Sequence, residues 1–157
     1  MTAFQGNIQP IELACSVQQA LGEHLLSCYP REACGILLGA AAAGGMRIDT
    51  YVPLRNVAPD PLHAFIPDPR DWVEALYLEP APIGLFHSHP HSAPIPSLAD
   101  LKGLPALGPE FLVYLIGSLG REPNIPLVNG YLIDRRRNSN GKLSLRLVEA
   151  PIYALLK

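Results

Sequence analysis

Residues 82–100 read PIGLFHSHPHSAPIPSLAD, a short apolar run, a proline-rich segment and a helix start in immediate succession. The run from Pro82 to His89 is bounded by prolines, as a buried strand ending at the histidines would be. Side chains at i and i+2 of a strand share a face about 6 to 7 Å apart, so His87 and His89 can converge on one ion. Pro90, Pro94 and Pro96 then forbid regular pairing and hold the chain extended. Ser97 opens a new element. Its S-x-x-D spacing to Asp100 fits a helix start, in which the hydroxyl caps backbone amides and the acid occupies the first turn. Capping alone explains Ser97 and Asp100 but leaves two histidines at strand spacing unexplained. With Asp100 as a third ligand the set suits zinc, which takes imidazole nitrogen and carboxylate oxygen and catalyses when a fourth position stays open.

Another carboxylate lies upstream. In YPREACGILLG, Glu32 follows a proline that ends a helix and precedes an apolar strand. By position it is either a solvated acid in a helix-to-strand turn or a base for hydrolysis, taking a proton from water and returning it to the leaving group.

Glu32 followed by HSHPHSAPIPSLAD resembles the JAMM motif of the MPN-plus metalloproteases: an upstream glutamate, then H-x-H, seven residues, S, two residues, D. The flanks PREACGILLG, RNVAPDPLHAFIPDP and LADL are similar to the short bacterial and archaeal members, and the resemblance covers roughly residues 10–150. It implies a cytidine-deaminase-like α/β fold with a mixed sheet, and one Zn²⁺ per chain on His87, His89 and Asp100. It also implies Glu32 as general base and Ser97 as oxyanion donor. No separate base partner for the serine is evident, so a nucleophilic role is not expected. The implied substrate is a peptide or isopeptide bond after the C-terminal tail of a ubiquitin-like protein, in short members a sulphur-carrier protein ending in diglycine. Deaminase chemistry is not expected, because the H-x-E and P-C-x-x-C zinc signature is absent. Two other readings stand beside this one. An MPN domain can be a non-catalytic scaffold or binding module, but that class loses motif residues and none is lost here. A hydrolase of small amidated metabolites or dipeptides is not separable by sequence.

The 157 residues suit one domain, 1–157, around a single core. Seventeen prolines and 13 glycines in a chain that is 48% hydrophobic point to many turns rather than to disorder. A formal charge of −2 supplies no field for nucleic acid or an anionic membrane. The basic cluster Arg135, Arg136, Arg137 reads as a solvated hairpin tip. MTAFQGNIQP lacks a secretory leader and no apolar run approaches the ~20 residues of a membrane helix, so a cytoplasmic protein is expected. Three cysteines without C-x-x-C spacing suit a reducing compartment. Cys15, Cys28 and Cys34 are expected as packed thiols, with Cys34 close in sequence to Glu32.

The remaining elements follow from periodicity. A strand is expected over 11–15, then a helix capped by Ser16 with a stripe of Val17, Ala20, Leu21, Leu25 and Cys28, ending near Pro30. His24 lies on that stripe and is expected at the core boundary with a satisfied nitrogen. Strands over 34–41 and 46–54 flank the AAAGG turn, and a helix runs from Pro69 to about Leu78, with Trp72 packing it on the sheet. After a short helix over 97–104, FLVYLIGSL, PLVNGYLID and KLSLRLVEA read as strands, the last two joined by RRRNSNG. The order predicts an α/β domain, a mixed β-sheet flanked by helices on both faces. His91 is expected in a loop, with His63 and Asp68 in a proline-rich loop beside the cleft.

Overall fold

A computed structural model describes residues 8–120 and 125–155, so the first seven residues of the leader reading lie outside it. The first half of the chain runs β1 (Ile11–Leu13), α1 (Cys15–Cys28), β2 (Cys34–Ala42), β3 (Gly45–Leu54), α2 (Pro69–Leu76) and β4 (Pro82–His89). The second half runs α3 (Leu98–Gly103), a 3₁₀ turn (Leu104–Ala106), β5 (Val113–Leu119), β6 (Pro126–Arg137), β7 (Leu143–Ala150) and β8 (Ile152–Ala154). Among the described residues the strands form one eight-stranded sheet in the order β7, β6, β5, β4, β2, β3, β1, β8. The sheet is mixed. β4 is parallel to β5 and β1 to both β3 and β8, while β2 is antiparallel to β3 and β4, and β6 to β5 and β7.

Strand alternation sorts the apolar residues onto two cores. Leu37, Phe86, Leu115 and Leu132 face α1 and pack with Val17, Leu21 and Leu25. Their neighbours Ile36, Leu38, Leu85, Tyr114, Ile116 and Ile133 face the opposite side, where Trp72 of α2 and Leu104 of the 3₁₀ turn cover them. Burying each such side chain contributes roughly 1.5 to 3 kcal/mol, which requires both faces to be covered. Helices on both faces are therefore a consequence of strands apolar at consecutive positions. On the α1 side a side chain at Gly35 would collide with the Tyr51 ring. Glycine lets that ring approach the β2 backbone closely.

The expected elements are present, with corrections at particular residues. Helix α1 begins one residue before Ser16, because the Ala14 carbonyl already accepts from the Val17 and Gln18 amides at 3.0 and 3.2 Å; no side chain caps it. Strand β1 accordingly stops at Leu13. Arg135 and Arg136 are half-buried within β6 rather than at a solvated tip; only Arg137, paired opposite Leu143 at the hairpin end, is exposed as expected. Arg135 donates to the Phe111 and Gly108 carbonyls at 2.7 and 2.8 Å, and the Nε atoms of Arg136 and Arg146 both reach buried Asp134 at 2.8 Å. Cys15 is exposed rather than packed, while Cys28 is half-buried and Cys34 buried. β8 had no readable signal in a three-residue segment. No helix among the described residues is long and apolar enough to cross a membrane.

Candidate metal centre

Every residue of β4 is buried, and the strand sits between β5 and β2 near the middle of the sheet. Its alternation puts Leu85, His87 and His89 on the face covered by α2 and α3, so both histidines point into the same layer. The helix start completes the group. Ser97 is the N-cap of α3 in a capping box: its Oγ accepts from the Asp100 amide at 3.1 Å, and its own amide donates to Asp100 Oδ2 at 2.8 Å. That reciprocal pair fixes the Asp100 side chain and turns its carboxylate toward the strand end.

The three side chains converge. His87 Nε2 lies 2.9 Å from His89 Nε2 and 3.1 Å from Asp100 Oδ1, and His89 Nε2 lies 3.1 Å from Asp100 Oδ2. All three residues are buried, with one ligand atom of each within 4.8 Å of the others. Donor atoms about 2.0 to 2.1 Å from a tetrahedral zinc stand roughly 3.3 Å apart, so a few tenths of an ångström separate this arrangement from a ligand shell. His89 Nδ1 contacts the Ala93 carbonyl at 2.9 Å, which makes Nδ1 the donor and leaves the Nε2 lone pair toward the cluster. Lone pairs meeting at that spacing repel unless a cation or a proton lies among them.

The electrostatics agree. Burial holds the His87 pKa below its ordinary value, so this imidazole is neutral and able to ligate. Burial also lowers that of His89, but the bonds to Asp100 and Ala93 outweigh it and the net direction is upward. For Asp100 burial acts upward, while the hydrogen bonds from both histidines dominate and hold it well below the carboxylate range. The opposite directions at His89 and Asp100 have one cause, the contact between imidazole and carboxylate.

Glu32 stands outside the ligand group but faces the same cavity. It is 7% exposed, and burial raises its pKa to about 7, with His89 opposing and Asp100 reinforcing the rise. The cavity measures about 810 Å³. Glu32, His89, Ser97 and Asp100 form its polar end, and Phe65, Trp72, Leu85 and Leu107 are among its apolar walls.

All five residues singled out in the sequence are therefore in one place. Others sort out as follows. His63 lines the cavity and pairs with Asp60 at 3.0 Å, whereas Asp68 caps α2 through the Arg70 and Asp71 amides. His91 is exposed on the loop at the cavity edge, beside the Tyr29 ring at 5.5 Å. His24 Nδ1 meets the Tyr51 hydroxyl at 2.6 Å, the satisfied boundary histidine that was expected. Trp72 stacks on Phe111 at 5.4 Å. Burial pushes the Cys34 thiol up to about 12, so it is a packed hydrophobe.

Sequence reasoning passed over the residues that pack around the candidate ligands. Phe65 stacks on the His87 ring at 4.4 Å and Tyr114 meets it edge-on at 5.4 Å. Tyr131 and Asn129 donate to the Pro94 carbonyl at 2.9 and 3.2 Å, fastening the loop after the histidines. No short-range pattern marks them, because each reaches the site through sheet pairing or a long loop.

Comparison with known proteins agrees with this geometry. Residues 15–129 match the model for prokaryotic homologs of the JAB domain. A Haloferax volcanii desampylase is 39% identical over 93 residues, 57% of this chain and 63% of that protein. A probable TtuB-protein conjugate cleaving protease of Thermus thermophilus is 37% identical over 83 residues, 50% of this chain and 53% of that protein. The chain thus spans about half to under two thirds of the length of these relatives. In structure it is similar to a Desulfitobacterium hafniense protein solved in solution, with TM-score 0.72, 29% identity and 94% of each chain covered. It also shares its fold with a JAB1/MPN domain protein of Archaeoglobus fulgidus, at TM-score 0.52 and 17% identity over 90% of this chain and 97% of that one. The match across most of the chain, together with an intact set of motif residues at one site, shows that this protein belongs to the prokaryotic JAB-domain family.

Proposed function

We propose that this protein is a zinc-dependent peptidase or isopeptidase, cleaving the bond that follows the C-terminal tail of a ubiquitin-like or sulphur-carrier protein. One observation carries the reading: two imidazole nitrogens and a carboxylate converge at the polar end of a cavity that a buried, non-ligating glutamate also faces. His87, His89 and Asp100 would hold the ion, a nitrogen and oxygen set that matches catalytic zinc with three protein ligands. When bound, the ion supplies Lewis acidity and lowers the pKa of a water from 15.7 to about 7.

The chain's own groups do the rest. Glu32 takes a proton from the attacking water and delivers it to the leaving amine, a task for a carboxyl whose burial keeps its proton affinity near neutrality. The Ser97 oxygen accepts the Asp100 amide, so its hydrogen remains free to donate to the oxyanion that forms at the carbonyl. The apolar walls exclude water from the reacting groups and strengthen these interactions.

A diglycine end suits the substrate, because two residues without side chains let an extended tail bring its last carbonyl close to the buried polar end of the cavity. Relatives named for desampylation and for cleaving TtuB-protein conjugates support this class. Three free cysteines suit a cytoplasmic setting. The test is a panel of diglycine-tailed carrier adducts beside free dipeptides, with and without a chelator. Chelator-sensitive cleavage of the adducts is expected. Cleavage of dipeptides alone would transfer the protein to small-molecule hydrolysis, and no cleavage by zinc-loaded protein would make it a binding module.

A further inference from the structure

Asn56 follows β3 by two residues, and its half-buried side chain uses its whole hydrogen-bonding capacity on backbone. Nδ2 donates to the carbonyls of Glu32 and Ala64, each at 3.0 Å. Oδ1 accepts from the amides of Ala58 and Ile66, each at 3.0 Å. Two acceptors at one end and two donors at the other fix the orientation of the amide and exclude an isosteric carboxylate, whose oxygen would face two carbonyls. The Glu32 amide in turn donates to the Pro61 carbonyl at 2.7 Å. Both backbone groups of Glu32 are thus tied to one loop, and that loop carries Phe65 onto the ring of His87.

We propose that Asn56 is a positioning residue for the base, holding Glu32 and the Phe65 loop in one arrangement over the ligand cluster. The proposal rests on the reading of Glu32 as that base. A proton carrier must lie within hydrogen-bond reach of the water it serves, and a displacement of 1 Å in such a group can lower turnover about 100-fold. Closing the loop for stability alone would need bonds within the loop. The bond to the Glu32 carbonyl reaches outside it.

A double-mutant cycle on zinc-loaded protein separates the two roles. Asn56→Ala is expected to lower kcat about 100-fold, with KM and zinc content close to the parent's. In a Glu32→Gln background the same substitution is expected to change the residual rate by less than about threefold, because the group it positions is already gone. Amide exchange gives a readout independent of turnover: the Glu32 amide should exchange faster in Asn56→Ala, with or without zinc. Asn56→Asp keeps the two acceptor bonds, loses both donors and should behave the same way. An equal loss of rate in both backgrounds, or unchanged exchange at Glu32, would overturn the proposal. So would failure of both variants to fold with zinc, which would make Asn56 a residue of the fold. Near-normal turnover in Glu32→Gln alone would remove the base itself, a result distinct from an additive cycle.

Discussion

Cys34 stands opposite His87 in the antiparallel pairing of β2 with β4. That register carries Glu32, two residues upstream, onto the face that bears both histidines. Ser88 extends the pairing: its amide donates to the Ala33 carbonyl at 2.9 Å, and its Oγ accepts from the Ala33 amide at 2.8 Å. Glu32 is therefore held beside His89 by backbone, without entering the ligand group.

Glu32→Gln should leave zinc bound and lower turnover by about 10² to 10⁴, the usual contribution of a positioned proton carrier. Metal analysis beside adduct hydrolysis checks this. Near-normal turnover would reject the assigned role.

The same substitution should stabilise the metal-free protein. Glu32 has a pKa of about 7 in the folded state against an ordinary 4.5. The folded state thus binds the extra proton, and stability falls as pH rises from about 4.5 to about 7, by roughly 3 kcal/mol at most. Glutamine removes that dependence. The melting temperature of metal-free Glu32→Gln should exceed the parent's at pH 8 and match it near pH 4.5; an equal difference at both values would contradict this.

His89→Ala should release the metal, because it removes both a ligand and the group whose Nδ1 contact with Ala93 orders the following loop. Dialysed protein is expected to retain well under one zinc per chain. Stoichiometric zinc would count against the ligand set.

Ser97→Ala tests a residue with two roles. Loss of the cap should cost about 1 kcal/mol of stability, and loss of an oxyanion donor about 3 to 4 kcal/mol of transition-state stabilisation. Turnover should fall more than 100-fold while the protein stays folded and zinc-loaded. A change confined to the melting temperature would leave the serine as a cap alone.

The legible part of this site is the part written locally. His87 and His89 share a strand end and Asp100 lies in the next helix start, so spacing alone brings the three candidate ligands together. Glu32 is different. Its nearness to His89 depends on β2 and β4 pairing in one register across more than 50 residues of chain, and only the family resemblance pointed to it. Asn56, Phe65 and Tyr131 reach the site through a long loop and the sheet order, which periodicity does not encode. Arg135 and Arg136 misled for a related reason: a charged strand end looks like a turn until the Phe111, Gly108 and Asp134 partners are in view.

The central claim is that one cation is held by His87, His89 and Asp100. Anomalous diffraction at the zinc edge, from crystals grown with zinc and assigned against the refined side chains, tests it most directly. The account predicts a single strong peak about 2.0 to 2.2 Å from His87 Nε2, His89 Nε2 and an Asp100 oxygen. A zinc-soaked crystal with no peak among these three side chains would contradict it.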